Sequence, residues 1–405
     1  MKILVVTTKS PYPLYEGRAL RTYNLIKQTA REHEVHLLSF VQTPEEVAGI
    51  GHMTSVCASV EVVPLYMGGK GSLVWDVLRE VFSRSPLMAV KYRTGEMRYR
   101  LTMALRGQRF DVLHLDMLHL ADYLREANGL PVVLVEHNVE SALLRRRIEA
   151  ESSALKRLYF RYQFKKLQRY EAWACRQADH VIAVSAHDRK QLMQMTGHER
   201  VTAIPNGVDT EFFQPALDQP RSCTAVFVGG LTWFPNLDAI EYFCREILPL
   251  IARELPDFEL TVVGKNPSDG LNPELTANPR VKLTGMVEDV RPYIAAAAVY
   301  IVPLRVGGGT RLKILDALAS AKALVSTSVG CEGLDLVAGR DILVADEPQA
   351  FADAVVRILK VTKVASDLSA HGRDAVQKRY AWPGIAGGLL DVYDACARRL
   401  PGYAR

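Results

Sequence analysis

Short continuous apolar runs, rich in valine, isoleucine and leucine, recur along this chain between longer stretches of helical periodicity. In the first half they fall at residues 2–7, 34–40, 60–65, 111–115, 131–136 and 180–184. Runs that are apolar at successive positions, with no alternation, mark parallel strands covered by helices on both faces. Helical patterns lie between them, at 19–31 and 117–127 for example. The second half repeats the scheme, with strands expected at 202–204, 224–228, 259–263, 281–283, 299–302, 324–326 and 341–344. Such alternation predicts an α/β protein of two doubly wound, Rossmann-like domains facing across a cleft. The boundary is expected between Ser185 and Asn206, giving domains at 1–195 and 196–383 and a last helix within 384–405. Tyr380-Ala381-Trp382-Pro383 precedes that helix, and proline there favours a break. Ligands in such sheets bind beyond the carboxyl ends of the strands.

One crossover carries candidate chemistry. After the strand at 299–302 come Gly307, Gly308 and Gly309, then Thr310, Arg311 and a short helix. A glycine turn opening into a helix presents unpaired N–H groups and the positive end of the helix dipole, a seat for phosphate. The helix has a polar face of Lys313, Asp316 and Ser320, while Leu312, Leu315 and Ala319 continue the apolar stripe. Asp316 is an acceptor placed for a ribose if a nucleoside diphosphate lies on the turn. A plain βαβ connection with a tight turn is the alternative.

Composition narrows this picture without redirecting it. A length of 405 residues suggests two or three domains, and 48% hydrophobic with 23% charged residues is ordinary for a globular protein with real cores. The longest apolar run, 293–304, is too short to span a bilayer. MKILVV reads as a first strand and not as a signal peptide. Cys57, Cys175, Cys223, Cys244, Cys331 and Cys396 are scattered without C-x-x-C spacing, as expected of reduced thiols in a cytoplasmic protein with no metal site. Despite a net charge of +5, no nucleic-acid recognition motif appears, and no nucleic-acid partner is expected.

The segment VYIVPLRVGGGTRLKILDALASAKALVSTSVGCEGL resembles the donor-nucleotide motif of the retaining GT-B glycosyltransferases of family four, a group related to the glycogen synthases and rich in bacterial polysaccharide-assembly enzymes. MKILVVTTKSPYPLYEGRALRTYNL, AVSAHD…IPNGVDTEFFQP and VFVGGLTWFPNLDAIEYF match in the same order, so the resemblance spans the chain. It implies a metal-independent hexosyltransferase with a nucleotide-sugar as substrate and no cofactor. It also implies a C-terminal helix that crosses back to the first domain, and retention by a front-face route in which the leaving phosphate takes the acceptor proton.

Residue by residue, the resemblance places His137, at the end of the strand 131–136 in VEHNVE, against the donor sugar and the reacting centre. An imidazole there can donate to a sugar hydroxyl and stabilise developing charge; the alternative is a histidine set by a helix start, with Asn138 as the cap. Gly17 lets backbone approach the diphosphate, and a turn glycine is its rival. Arg18 and Arg21 are candidates for an anionic acceptor, and His114, Asp116 and His119 for the acceptor side. Glu332 falls in a loop that borders the donor sugar in the family. Asp316 takes the ribose position, one methylene shorter than the usual glutamate. Three departures stand out. Gly308 replaces a carboxylate, and Gly230 and Pro235 stand where most relatives carry an arginine and a lysine. Lys265, Arg311 and Lys313 are the candidates to neutralise the diphosphate. An Asp-x-Asp metal motif is absent from the sequence.

The expected function is sugar transfer from a nucleotide-diphosphate donor to a glycan or lipid-linked acceptor in cell-surface polysaccharide assembly. A nucleotide-sugar epimerase of the same fold and a non-catalytic nucleotide-sugar-binding protein are the alternatives. Arg145, Arg146, Arg147, Lys156, Arg157, Arg161, Lys165, Lys166 and Arg169, interleaved with Leu155, Leu158, Tyr159, Tyr162 and Leu167, suggest an amphipathic surface for anionic lipid at the inner face of the membrane. A second basic stretch, Lys91, Arg93, Arg98, Arg100, Arg106 and Arg109, carries Tyr92, Met97 and Tyr99. A solvated helix face is the alternative for both.

Overall fold

The computed structural model describes residues 1–14, 17–65, 83, 85–151, 153–216, 220–266, 275, 277–306 and 312–399. The chain forms two compact units, Met1–Pro205 with Ile385–Arg405, and Asn206–Gly384.

In the first unit the strands are β1 (Lys2–Thr7), β2 (Glu34–Val41), β3 (Ser59–Pro64), β4 (Val112–Leu115), β5 (Val132–Glu136), β6 (His180–Ala183) and β7 (Val201–Ala203). They make one parallel sheet in the order β3-β2-β1-β4-β5-β6-β7. All five residues of β5 and all four of β4 are buried, because helices cover both faces and leave no position for a polar side chain. Its helices include α1 (Gly17–Thr29), α2 (Gly95–Gly107), α3 (Glu140–Ala150), α4 (Ala154–Gln177) and α5 (Ala186–Thr196). The strand expected at the head of the second half is in fact β7. Its Thr202 pairs with Ile182 of β6, so it ends the first sheet. Residues 117–127 also differ from expectation: Leu118–Glu126 winds as a 3₁₀ helix. Leu118, Ala121 and Leu124 recur there every three residues, the 3₁₀ period, and the first two are fully buried.

The second unit holds β8 (Arg221–Val228), β9 (Glu259–Val263), β10 (Val281–Leu283), β11 (Ala297–Val302), β12 (Leu324–Ser326) and β13 (Leu343–Val344) in the parallel order β10-β9-β8-β11-β12-β13. Around it lie α6 (Phe234–Tyr242), which runs through a π turn into α7 (Leu248–Glu254), and α8 (Leu312–Ala319), α9 (Pro348–Lys360) and α10 (Thr362–Arg379). Phe243 anchors one core layer, with ring centroids 6.4 Å from Phe258 and 6.2 Å from Phe351. Gly264 has φ +151°, and a Cβ there would meet the Gly229 backbone at 2.5 Å, so the ends of β8 and β9 approach closely because residue 264 is glycine.

The last helix, α11 (Trp382–Ala397), begins in the second unit, and its residues from Ile385 belong to the first. Helix α10 ends at Arg379 and α11 starts at Trp382, so the expected break from the preceding helix is present. Pro383 itself sits in the first turn of α11, where a proline forfeits no helical hydrogen bond. In both sheets the order reverses beside the first strand, between β1 and β4 and between β8 and β11. Each reversal leaves a crevice at the carboxyl ends of two neighbouring strands.

Candidate functional site

In the first unit the crevice is furnished by residues that directly follow strands. Asp116 comes after β4 and His137 after β5. The His137 Nε2 lies 3.3 Å from Asp116 Oδ1 and 3.2 Å from the Asp116 carbonyl oxygen. Both neighbours are acceptors, so Nε2 carries the proton. Thr22, from α1, donates to Asp116 Oδ2 at 2.6 Å, and His114 Nε2 reaches Oδ1 at 3.4 Å. The other His114 nitrogen is 2.6 Å from the Tyr393 hydroxyl on α11. Burial opposes ionisation of Asp116, yet the charge of His137 and the hydrogen bonds from both histidines hold its carboxyl well below the usual range. Asp116 is thus a buried anion that fixes His137 in place. With Nε2 engaged by Asp116, Nδ1 is the His137 ring nitrogen left to face a ligand.

Asn138 is not the cap of α3. That helix starts after Val139, which has no side-chain cap, and the buried Glu171 of α4 accepts from Glu140 N at 2.7 Å and Ser141 N at 3.3 Å instead. Burial pushes the Glu140 carboxyl up to about 7, with Arg18 pulling it back. His119 is half-buried, and its Nδ1 has no hydrogen-bond partner. Burial, then the charges of Arg18 and Lys91, lower its pKa to about 3, so the ring is neutral near pH 7.

Gly17 is exposed as the first residue of α1, and Arg18 on the same turn places Nη1 3.2 Å from Met117 Sδ. Arg21 corrects the sequence reading. It is buried, and its guanidinium donates to the carbonyls of Pro205 at 2.7 Å and Ile204 at 2.8 Å, so it ties down the chain leaving β7 and is not presented to an acceptor phosphate.

The second crevice is built differently. Lys313, on α8, does not extend into solvent. Its ammonium donates to Asn236 Oδ1 at 2.8 Å and sits 4.1 Å from the centre of the buried Phe227 ring. Asn236 in turn donates to the Gly230 carbonyl at 2.9 Å. Gly229 makes room for this arrangement, since a Cβ there would lie 2.6 Å from Lys313 Nζ. Asp316, one turn along α8, is half-buried, and its carboxylate accepts no hydrogen bond among the described residues. Desolvation raises it to about 7, with Lys313 acting against the shift. Ser320 is buried and donates to the Asp316 carbonyl at 2.9 Å, so it belongs to the helix interior and not to an open polar face.

Lys265 is exposed beyond β9, with its carbonyl accepting from Leu231 N at 2.8 Å beside Gly230. Glu332 is exposed in the turn after β12. Gly307, Gly308, Gly309, Thr310 and Arg311 lie outside the described residues. Among the described residues no group of three or more His, Cys, Asp or Glu is arranged to hold a metal ion, and no helix is long and apolar enough to cross a membrane.

Sequence reasoning missed Asn236, Thr22 and Tyr393. For Asn236 a signal existed: an amide just after a proline, in the first turn of the helix that follows the sheet's first strand, stands at a crevice by topology alone. Thr22 and Tyr393 had none, because their partners are 94 and 279 residues away.

The two basic stretches fare differently. In the second, Met97 and Tyr92 are buried in the core, Arg98 pairs with Glu126 at 2.5 Å and Arg100 with Glu96 at 2.7 Å, which leaves Tyr99 as the exposed one of its three apolar residues. In the first, Leu167 is core, but Leu155, Leu158 and Tyr162 are exposed on α4.

Comparison with known proteins agrees with this architecture. Residues 16–212 match the Glycosyltransferase Family 4 model and residues 222–361 the model for Glycosyl transferases group 1. The chain is 22% identical to an uncharacterized 44.6 kDa protein in the cps region of Klebsiella pneumoniae, over 94% of this chain and 96% of that one. It is 29% identical to a phosphatidyl-myo-inositol mannosyltransferase of Mycobacterium tuberculosis over 53% of this chain, spanning 59% of that relative's length. Among solved structures, Anabaena Alr3699/HepE in complex with UDP superposes with a TM-score of 0.70 at 15% identity, covering 98% of this chain and all of that one. The sucrose-phosphate synthase of Thermosynechococcus elongatus gives 0.69 at 17% identity over 99% of this chain. With one glycosyltransferase model on each half of a chain that folds as two parallel-sheet α/β units, this protein belongs to the GT-B glycosyltransferases of the family-four type.

Proposed function

We propose that this glycosyltransferase moves a hexose from a nucleoside-diphosphate sugar to an acceptor hydroxyl, with retention at the anomeric carbon and without a metal ion, in the assembly of a polysaccharide or glycolipid. The observation that carries the reading is the group at the β8–β11 reversal. There Lys313 is held by Asn236 over Phe227, and Asp316 is a desolvated carboxyl that accepts no hydrogen bond among the described residues. A nucleoside diphosphate would set its negative charge beside this ammonium and a ribose hydroxyl beside the carboxyl. Solved neighbours in complex with UDP, or with UDP-glucose, support a nucleotide-sugar as the ligand. Mannosyltransferases of phosphatidyl-myo-inositol and of lipopolysaccharide core among the relatives support a glycolipid or glycan acceptor.

In this reading Gly17, Lys265, Glu332, Gly307, Gly308, Gly309, Thr310 and Arg311 join Lys313 and Asp316 on the donor, while Arg18 and Asp116 serve the acceptor side. Asp116 acts through His137: it holds the Nε2–H so that the ring meets the sugar at one angle, and a fixed dipole stabilises charge developing at the anomeric carbon more than a mobile one. Exposed Leu155, Leu158 and Tyr162 among the cations of α4 support peripheral attachment to the anionic cytoplasmic face of a membrane.

The test is nucleotide release from UDP-, GDP- and ADP-sugars with and without oligosaccharide or lipid-linked acceptors, with the anomeric configuration of the product read by NMR. Release that rises with acceptor and gives a retained product is expected. An isomerised sugar on intact nucleotide would establish the epimerase, and donor binding with no turnover on any acceptor the non-catalytic alternative.

A further inference from the structure

Helix α4 touches the chain on both sides of His137. On one side Glu136, the last residue of β5, is buried, and the Cys175 thiol donates to its Oε1 at 3.9 Å. On the other side Glu171, also buried, takes the first two amides of α3 on its two oxygens, Glu140 N at 2.7 Å and Ser141 N at 3.3 Å. Glu171 and Cys175 stand four residues apart on α4, so both clasps lie on one face of that helix. Between the clasps run only three residues, His137, Asn138 and Val139.

The Glu171 clasp is a costly way to cap a helix. Val139 caps α3 with no side-chain bond, and the carboxylate that replaces it comes from 31 positions away. Burial raises the Glu171 carboxyl to about 7, with the bonds from Ser141 and the two amides acting against the shift. Glu136 is raised well above the usual carboxylate range, by burial and then by the charges of Glu171 and Glu140. Neighbouring buried carboxyls do not all ionise, so the one with amide donors at a helix N-terminus carries the larger share of the charge. A serine or aspartate at position 139 would cap α3 without that desolvation. It would not fix the start of α3 to the same helix that holds the end of β5. The His137 Nε2 stands 3.3 Å from Asp116 Oδ1, near the limit of a hydrogen bond, so a small shift of residues 137–139 breaks the contact.

We propose that Glu171 is a positioning residue for the transferase reaction: by gripping the first two amides of α3 it sets the path of residues 137–139, and so the angle at which the His137 ring meets the sugar. This role rests on the reading of His137 as the group at the reacting centre. Glu171 is buried away from any ligand, so it acts through His137 alone.

The test is steady-state nucleotide release by the full chain with acceptor present, for Glu171→Gln and Glu171→Ala, and for Glu171→Gln combined with His137→Ala. Glutamine keeps an acceptor oxygen for the amides; alanine keeps none. The expected fall in kcat is about tenfold for Glu171→Gln and about 10²-fold for Glu171→Ala. Donor KM should stay within about twofold of wild type in both. On the His137→Ala background Glu171→Gln should cost nothing further. Hydrogen exchange at residues 138–141 should be at least about tenfold faster in Glu171→Ala, with α5 unchanged. If the alanine variant loses its circular dichroism signal, the glutamine variant and its double decide the question through kcat and through exchange at the same residues. Wild-type kcat in the folded variants, a loss seen in donor KM alone, or a glutamine loss that adds in full to that of His137→Ala overturns the positioning role and leaves a helix cap. Unchanged exchange at residues 138–141 overturns the grip itself. A wild-type chain that turns over no donor overturns the transferase reading, a separate failure, and the exchange measurement still decides whether Glu171 holds this segment.

Discussion

The two units reverse strand order at the same point in their sheets, and they furnish the resulting crevices in opposite ways. In the first unit the group is closed on itself. Asp116 takes Thr22 on one oxygen and both histidines on the other, and His114 is held from behind by Tyr393. In the second unit the group is open. Lys313 is steadied by Asn236 and a ring face, while Asp316 is desolvated and accepts no hydrogen bond among the described residues. A closed network is preorganised and costs no rearrangement when charge develops beside it. An open one gains most from the ligand that completes it. Under the proposed function, the contrast predicts transition-state work in the first crevice and ground-state donor binding in the second, and the two are separable in kinetics.

The largest effect should come from the closed group. His137→Ala is expected to lower kcat by about 10²-fold or more, with donor affinity nearly unchanged, in steady-state nucleotide release with acceptor present. Wild-type kcat in that variant would remove His137 from the reaction. Breaking the open group should do the reverse. Asp316→Ala is expected to weaken donor binding by about 1.5–3 kcal/mol, measured by calorimetry, with the circular dichroism spectrum unaltered. Equal affinity in the two proteins would end the ribose assignment.

Asn236→Ala sharpens the same comparison. It removes the α6 amide that now holds the ammonium, and donor affinity should fall about tenfold, as befits a charge-assisted hydrogen bond. Because Asn236 acts through Lys313, adding it to Lys313→Ala should cost little more. Additive losses in the double variant would show that the asparagine has a separate role.

The smallest effect is a pH dependence peculiar to the second unit. Asp316 titrates near 7 in the free protein, facing Lys313 and the Tyr300 ring, so below that pH it is protonated and a poor acceptor for a ribose hydroxyl. Donor affinity should therefore rise as pH rises through about 7 and level off above it, by at most about tenfold per pH unit for one proton. Asp316→Asn should flatten the profile. A profile of the same shape in that variant would assign the titration to the ligand or to another residue. The same shift has a sign for stability. The folded carboxyl is raised above its unfolded value, so the unliganded protein loses stability as pH climbs from about 4 toward 7.

Much of this protein was legible in its residue order. Parallel strands covered on both faces must be apolar at consecutive positions, which is why β1 and β12 fall where the apolar runs begin and end. β9 and β10 also keep the expected bounds, though β10, at the sheet's edge, has no buried residue. The strand-then-helix rhythm dictated two wound sheets, and a histidine directly after a strand was bound to stand at a carboxyl edge. What periodicity could not reveal was partnership. Val201–Ala203 reads as a strand anywhere, and only pairing with β6 assigns it to the first sheet. Arg21, Lys313 and Tyr92 look alike in sequence, as polar or amphipathic residues on helices or beside them. The fold buries the arginine against two carbonyls, turns the lysine onto an amide and a ring, and seals the tyrosine in a core. The reason is the range of the interactions. Backbone conformation follows from neighbours a few positions away, whereas a buried charge takes whichever acceptor the packed chain brings within 3 Å, and for Arg21 that acceptor lies 183 residues on.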